Sequence, residues 1–140
     1  MRLPFLHKFT VKKVTGDASG IERQQAEAIL TAILRELPEL LAMAVVEVQS
    51  GKTMAAYTAT ALLDPYKLNS RYAANIRQTR QFLTQPWLSA QNLTDFVLLL
   101  EDQQHCLRLA ADGRWLCYVV VRIADANLAL VREVMRRCTA

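Results

Sequence analysis

The chain has little of what reactive chemistry needs. It carries two histidines, His7 and His105, and no sequence feature fixes a carboxylate beside either one, so no nucleophile and base pair can be assembled. Four glycines, Gly16, Gly20, Gly51 and Gly113, are too few and too scattered for a phosphate-cradling loop. Three cysteines, Cys106, Cys117 and Cys138, include no CxxC pair and sit among apolar neighbours; they read as buried reduced thiols and not as a metal or redox site. No apolar run approaches the roughly 20 residues that span a bilayer, and the opening MRLPFLHKF lacks the long apolar region and small-residue cleavage site of a secretory signal. These features predict a cytoplasmic protein without catalytic residues, metal or cofactor.

What the chain does have is apolar mass. At 140 residues and 52% hydrophobic it can close one substantial core. Its charge is unevenly placed. Arg2, Lys8, Lys12 and Lys13 meet no acid within the first 15 residues, and the other 13 basic residues balance all 13 acidic ones. A second imbalance lies between Asp64 and Asp95, where Lys67, Arg71, Arg77 and Arg80 meet no carboxylate. Such patches attract nucleic acid, anionic lipid or an acidic protein surface. Without aromatic interleaving or a nucleic-acid motif, a solvated helix face and a loose tail are the plainer reading, and the sequence disfavours nucleic acid as a partner.

Residues 1–19 form a basic and apolar arm. Leu3, Phe5, Leu6, Phe9, Val11 and Val14 alternate with cations before a Thr-Gly-Asp-Ala-Ser-Gly linker, so that Leu6 to Val14 read as a short added strand or as an arm that docks on a partner. Residues 20–140 form the domain. Ser19 and Glu22 have capping-box spacing ahead of Ile29, Leu30, Ile33, Leu34 and Leu37, which predicts a helix over 20–37 ended by Pro38. Ala42 to Ala61 reads as two strands turning at Ser50-Gly51 or Gly51-Lys52. That parity puts Ala44, Val46, Val48, Ala55, Tyr57 and Ala59 on one face, and Met43, Val45 and Met54 on the other with Glu47, Gln49, Lys52, Thr58 and Thr60.

A second helix is expected from a cap at Asn69 or Ser70 to about Thr84, with Tyr72, Ile76, Thr79 and Leu83 as a narrow apolar stripe. Trp87, in the loop that follows, reads as a plug over the core. Phe96 to Leu100, Cys106 to Leu109 and Trp115 to Ile123 give three strands, with a two-residue hairpin at Asp112-Gly113. Their near-continuous apolar runs indicate strands covered on both faces. Asp125 then caps a closing helix with Leu130, Val131, Val134, Met135 and Cys138 inward. The expected fold is an α+β sandwich: a five-stranded, mostly antiparallel sheet with helices on both faces, in the order α-β-β-α-β-β-β-α.

This order resembles the roadblock/LC7 family, related to the profilin-like and longin folds. The resemblance is carried by LPELLAMAVVEVQSGKTMAAYTA in the first hairpin, NLTDFVLLLEDQQHCLRL in the next strand pair, and YVVVRIADANLALVREVMRR at the end. It implies a homodimer or heterodimer joined through the second helix and third strand, giving one sheet across two subunits. Mapped onto this chain, the implied interface comprises Tyr72, Ile76, Arg77, Arg80, Leu83, Phe96, Val97 and Leu99. The resemblance further implies scaffolding or regulation of a small Ras-like GTPase or related switch. The basic arm and the arginine-bearing second helix depart from the small dynein light chains. Two other readings stand beside this one: a small-molecule sensor using space left by Ala55, Ala56 and Ala59, and arm-mediated attachment to nucleic acid or a membrane surface through Arg2, Lys8, Lys12 and Lys13.

Overall fold

A computed structural model describes residues 14–88 and 91–139. Helix α1 (Gly20–Glu36) leads to strands β1 (Ala42–Glu47) and β2 (Thr53–Thr58), helix α2 (Pro65–Phe82) and a 3-10 turn at Pro86–Leu88. Strands β3 (Asp95–Leu99), β4 (Gln103–Leu109) and β5 (Trp115–Arg122) and helix α3 (Leu128–Cys138) complete it. The sheet order is β2-β1-β5-β4-β3, with every pairing antiparallel. The expected α+β sandwich and its element order are therefore present.

The two layers of core follow the strand alternation. Met43, Val45, Cys117, Val119 and Val121 pack with Leu30, Ile33 and Leu34 of α1 and Val131, Val134 and Met135 of α3. On the opposite face Ala42, Ala44, Val46, Leu116, Tyr118 and Val120 pack with Tyr72, Ala73 and Ile76 of α2. Strands β1 and β5 are thus buried on both sides, which explains why their sequences are apolar throughout instead of alternating.

The first hairpin corrects one expectation. Its turn runs from Glu47 to Lys52, with Glu47 N–H donating to Lys52 O at 2.9 Å and Gly51 N–H to Glu47 O at 2.8 Å, and Gly51 has φ +76°. This longer turn preserves the expected parity, but Val46 then pairs with Thr53 and Val45 with Ala55, so Met54 is bulged. The extra residue flips everything after it. Ala55 and Tyr57 join Met43 and Val45, while Ala56 joins Ala44 and Val46.

Several boundaries move for local reasons. The second helix starts at Pro65, whose ring presets the first turn, and Asp64 caps it by accepting Tyr66 N–H at 3.0 Å. Asn69 lies inside the helix, buried and donating to Thr53 Oγ1 at 2.5 Å. Asn127, not Asp125, caps α3 by accepting Leu130 N–H at 2.8 Å. Ser19 stands at the α1 N-cap without a side-chain capping bond. The Asp112-Gly113 turn is longer than two residues, because Ala110 N–H bonds Trp115 O at 2.9 Å across it. Trp87 does not plug the core; it is 71% exposed and meets Phe82 edge to face at 5.5 Å.

The chain before α1 is held against the free side of β2. Thr15 and Ala56 exchange backbone bonds of 3.0 and 2.8 Å, and Asp17 N–H donates to Thr53 O at 2.7 Å. Arg23 fastens the same strip by donating to the carbonyls of Val14, Gly16 and Ala18. Gly16 is required there, since a Cβ would stand 2.4 Å from Met54 O. The arm residues Arg2, Lys8, Lys12 and Lys13, together with His7, lie outside the described residues. Gly16→Ala should push the strip off β2, costing about 1–3 kcal/mol of stability. Denaturant titration checks the cost, and faster amide exchange at Ala56 checks the mechanism.

Candidate functional site

Among the described residues, Asn69 Oδ1 is buried without a hydrogen-bond partner, and the other buried side-chain N and O atoms are engaged. His105 on β4 is 4% exposed; its Nδ1 accepts from the Tyr72 hydroxyl and its Nε2 lies 3.0 Å from Gln103 Oε1. Tyr72 also meets Tyr118 edge to face at 5.0 Å. Burial lowers the proton affinity of the imidazole and raises the pKa values of both tyrosines, favouring neutral forms. This cluster orients α2 on the sheet and presents no free base. Cys106 and Cys117 are buried free thiols whose pKa values burial pushes up to about 11 and about 12, the opposite of an activated nucleophile. Among the described residues, no group of three or more potential ligands is placed to hold a metal ion.

The cations of α2 divide by role. Arg77 donates to Val48 O at 2.7 Å and Arg80 to Gly113 O at 2.5 Å, so each tethers the helix to a hairpin turn at the same end of the sheet. Their charge is held by carbonyl dipoles, which accounts for the lack of nearby carboxylates. Lys67 and Arg71 instead line the outer surface of α2 with Tyr66, Ser70, Asn75 and Gln78. Tyr72 and Ile76, expected at an interface, face the sheet and are 3% and 1% exposed. The stripe whose Tyr72 and Ile76 the resemblance assigns to an interface is the one the subunit uses to bury α2. Leu83 lies half-buried in an open cleft of about 820 Å³ bounded by Leu93, Arg108, Gly113 and Arg136.

The third strand meets the expectation differently. It is an edge strand, since its other side has no partner among the described residues. Asp95 anchors its start through Arg108 at 3.0 Å and Arg132 at 3.1 Å. Phe96 packs toward the α2 layer and Val97 toward the α1–α3 layer, both half-buried. Beyond them Leu98, Leu99 and Leu100 are 40, 59 and 46% exposed. Leu98 and Leu100 were not singled out in the sequence, although the uninterrupted FVLLL run was the available signal. An apolar edge with unpaired backbone groups is a template for another strand. The β2 edge differs because residues 15–17 occupy it.

No protein-family sequence model matches the chain, and no curated protein matches it in sequence. Solved structures do match in shape. Myxococcus xanthus MglB is similar with a TM-score of 0.74 and 13% identity over 88% of both chains. A structure described as MglB with tetrameric arrangement has a TM-score of 0.74 and 18% identity over 89% of this chain and 90% of that one. A roadblock/LC7 domain from Streptomyces avermitilis has a TM-score of 0.66 and 10% identity over 86% and 92%. The fold is the roadblock/LC7 fold. No helix among the described residues is long and apolar enough to cross a membrane.

Two outcomes follow from this geometry. Ile76→Asp should unfold the subunit instead of merely separating subunits, at a cost above about 3 kcal/mol, as expected for an unpaired charge in a packed core; circular dichroism melting checks it. Because burial holds His105 below its unfolded pKa, the unfolded chain takes up the proton first. The stability linked to neutral His105 is therefore complete above about pH 6.5 and is lost as pH falls toward the folded pKa. Chemical denaturation from pH 8 to 5 should show a steeper loss in the wild type than in His105→Gln.

Proposed function

We propose that the chain is a non-catalytic, self-associating interaction module that regulates a small Ras-like GTPase or a related switch in the cytoplasm. The observation that carries this reading is the apolar edge at Leu98–Leu100. A second copy adding its own β3 would satisfy the unpaired backbone groups and continue the sheet across two subunits. The exposed surface of α2, with Lys67 and Arg71, offers a further polar surface to a partner. Arg77 and Arg80 support it by fixing the helix, whereas Tyr72 and Ile76 support it from inside the subunit.

The engagement of His105 by Tyr72 and Gln103 favours binding over chemistry at that residue, and the roadblock/LC7 resemblance favours a GTPase as the regulated protein. The tetrameric arrangement of one MglB structure supports a fold able to assemble beyond one copy. The small-molecule reading draws less support. Ala55 and Ala56 are buried at 0 and 1%, and Ala56 packs with Tyr72, Ala73 and Ile76, so the alanines bring elements close instead of leaving a chamber.

Paired Leu98→Lys and Leu99→Lys substitutions should weaken self-association at least tenfold while leaving the helical and sheet signals intact. Sedimentation velocity over micromolar concentrations checks this; a wild type that stays monomeric throughout overturns the dimer. Titration against small Ras-like GTPases of the same cell should show at least tenfold different affinity for the GTP- and GDP-loaded forms. Absence of binding to either form overturns the regulatory assignment.

A further inference from the structure

At the end of the sheet where β4 ends and β5 begins, the cleft of about 820 Å³ beside Leu83 lies between the C-terminal parts of α2 and α3 and the turn at 110–113. Leu83, Leu93 and Leu109 supply its apolar surface, and Thr84, Gln91 and Asn92 add hydroxyl and amide groups. The volume falls within the roughly 300–1,000 Å³ of small-molecule sites, and apolar surface with a few fixed polar groups is what such sites present. The cleft is remote from the β3 edge, because Leu99 pairs with Gln104 at the opposite end of β4 from Leu109.

The geometry points to this cleft as a binding site for a small organic phosphate, a phosphate monoester carried on a compact apolar body. Charge is the first reason. Three arginines line the cleft, Arg80 from α2, Arg108 from β4 and Arg136 from α3, against one carboxylate, Asp112. Arg136 pairs with Glu133, and Arg108 shares Asp95 with Arg132. Counting those carboxylates and Arg132 together with the lining leaves one cation in excess. Arg80 itself has no ion-pair partner among the described residues. A phosphate monoester carries a charge of about −1.5 to −2 at pH 7 and complements this excess.

The second reason is that the guanidiniums are held in place with donors to spare. Arg80 donates through Nη2 to Gly113 O at 2.5 Å. A Cβ on Gly113 would stand 2.9 Å from that nitrogen, so the glycine admits the arginine to the turn. Arg108 donates to Asp95 through Nη1 alone. An arginine carries five N–H donors in a planar fork, so both side chains keep donors for the oxygens of a ligand. Because each is already tethered, little rotamer freedom is left to lose on binding. The apolar surface then decides the rest of the ligand: Leu83, Leu93 and Leu109 would be covered by an apolar body, whereas an inorganic anion leaves them in water. This site is independent of the self-association and the GTPase reading above.

Titration of the ¹⁵N-labelled full chain with phenyl phosphate, followed by amide shifts, tests the proposal. Saturable shifts should appear at Leu83, Leu93, Ala110 and Gly113. The affinity should exceed at least tenfold those of inorganic phosphate and of benzyl alcohol, which carry only the charge or only the ring. Arg80→Gln should weaken binding at least tenfold. Because that change also releases the turn at Gly113, the exposed Arg136→Gln serves as a second variant and should weaken binding at least threefold. Arg71→Gln, on the outer surface of α2, should leave it unchanged. Shifts that fail to saturate, or an Arg71→Gln variant that loses as much affinity as Arg136→Gln, would overturn the proposal. A phosphoserine peptide that binds at least tenfold tighter than phenyl phosphate would assign the cleft to a phosphorylated protein and overturn the small-molecule site.

Discussion

The structure depends on the pairing of β1 with β5 at the centre of the sheet. Both strands are apolar on both faces, so neither can exist unless helices cover the two sides and neighbouring strands satisfy every backbone N–H and C=O. That demand places α1 and α3 on one face and α2 on the other. It also sends the chain from β2 at one edge, through α2, to β3 at the opposite edge. The two edges are where the demand runs out, and they are treated unequally.

That inequality distinguishes the two edges of the sheet. The β2 edge is shut by residues 15–17, fastened by Arg23 and admitted by the missing side chain of Gly16. The β3 edge is pinned at its start by Asp95 between Arg108 and Arg132, and along Leu98 to Leu100 it has no strand partner among the described residues. An edge that is ordered, apolar and unpaired is costly to keep in water and is suited to strand addition. Arg77 and Arg80 hold α2 to two hairpin turns at one end of the sheet. The charge imbalance between Asp64 and Asp95 is thus partly structural, with carbonyls standing in for carboxylates.

The sequence by itself determined the element types and order, because apolar periodicity and Pro and Gly punctuation act over a few residues: Pro38 ended α1, and the runs FVLLL and WLCYVVVRI marked strands, although WLCYVVVRI is buried on both faces and FVLLL, expected to be, is a half-exposed edge. The resemblance to the roadblock/LC7 fold rested on the same local patterns. Tertiary structure decided the rest. The bulge at Met54 reversed the faces of Ala55, Ala56 and Tyr57, since one unpaired residue changes parity without altering composition. Tyr72 and Ile76 became core because the sheet competes for the only apolar stripe on α2, and no periodicity tells a stripe buried within a subunit from one buried between subunits. Which edge stays open was likewise undecidable locally: it depends on where residues 15–17 return, a contact made across some forty residues of chain by backbone hydrogen bonds that any sequence can offer.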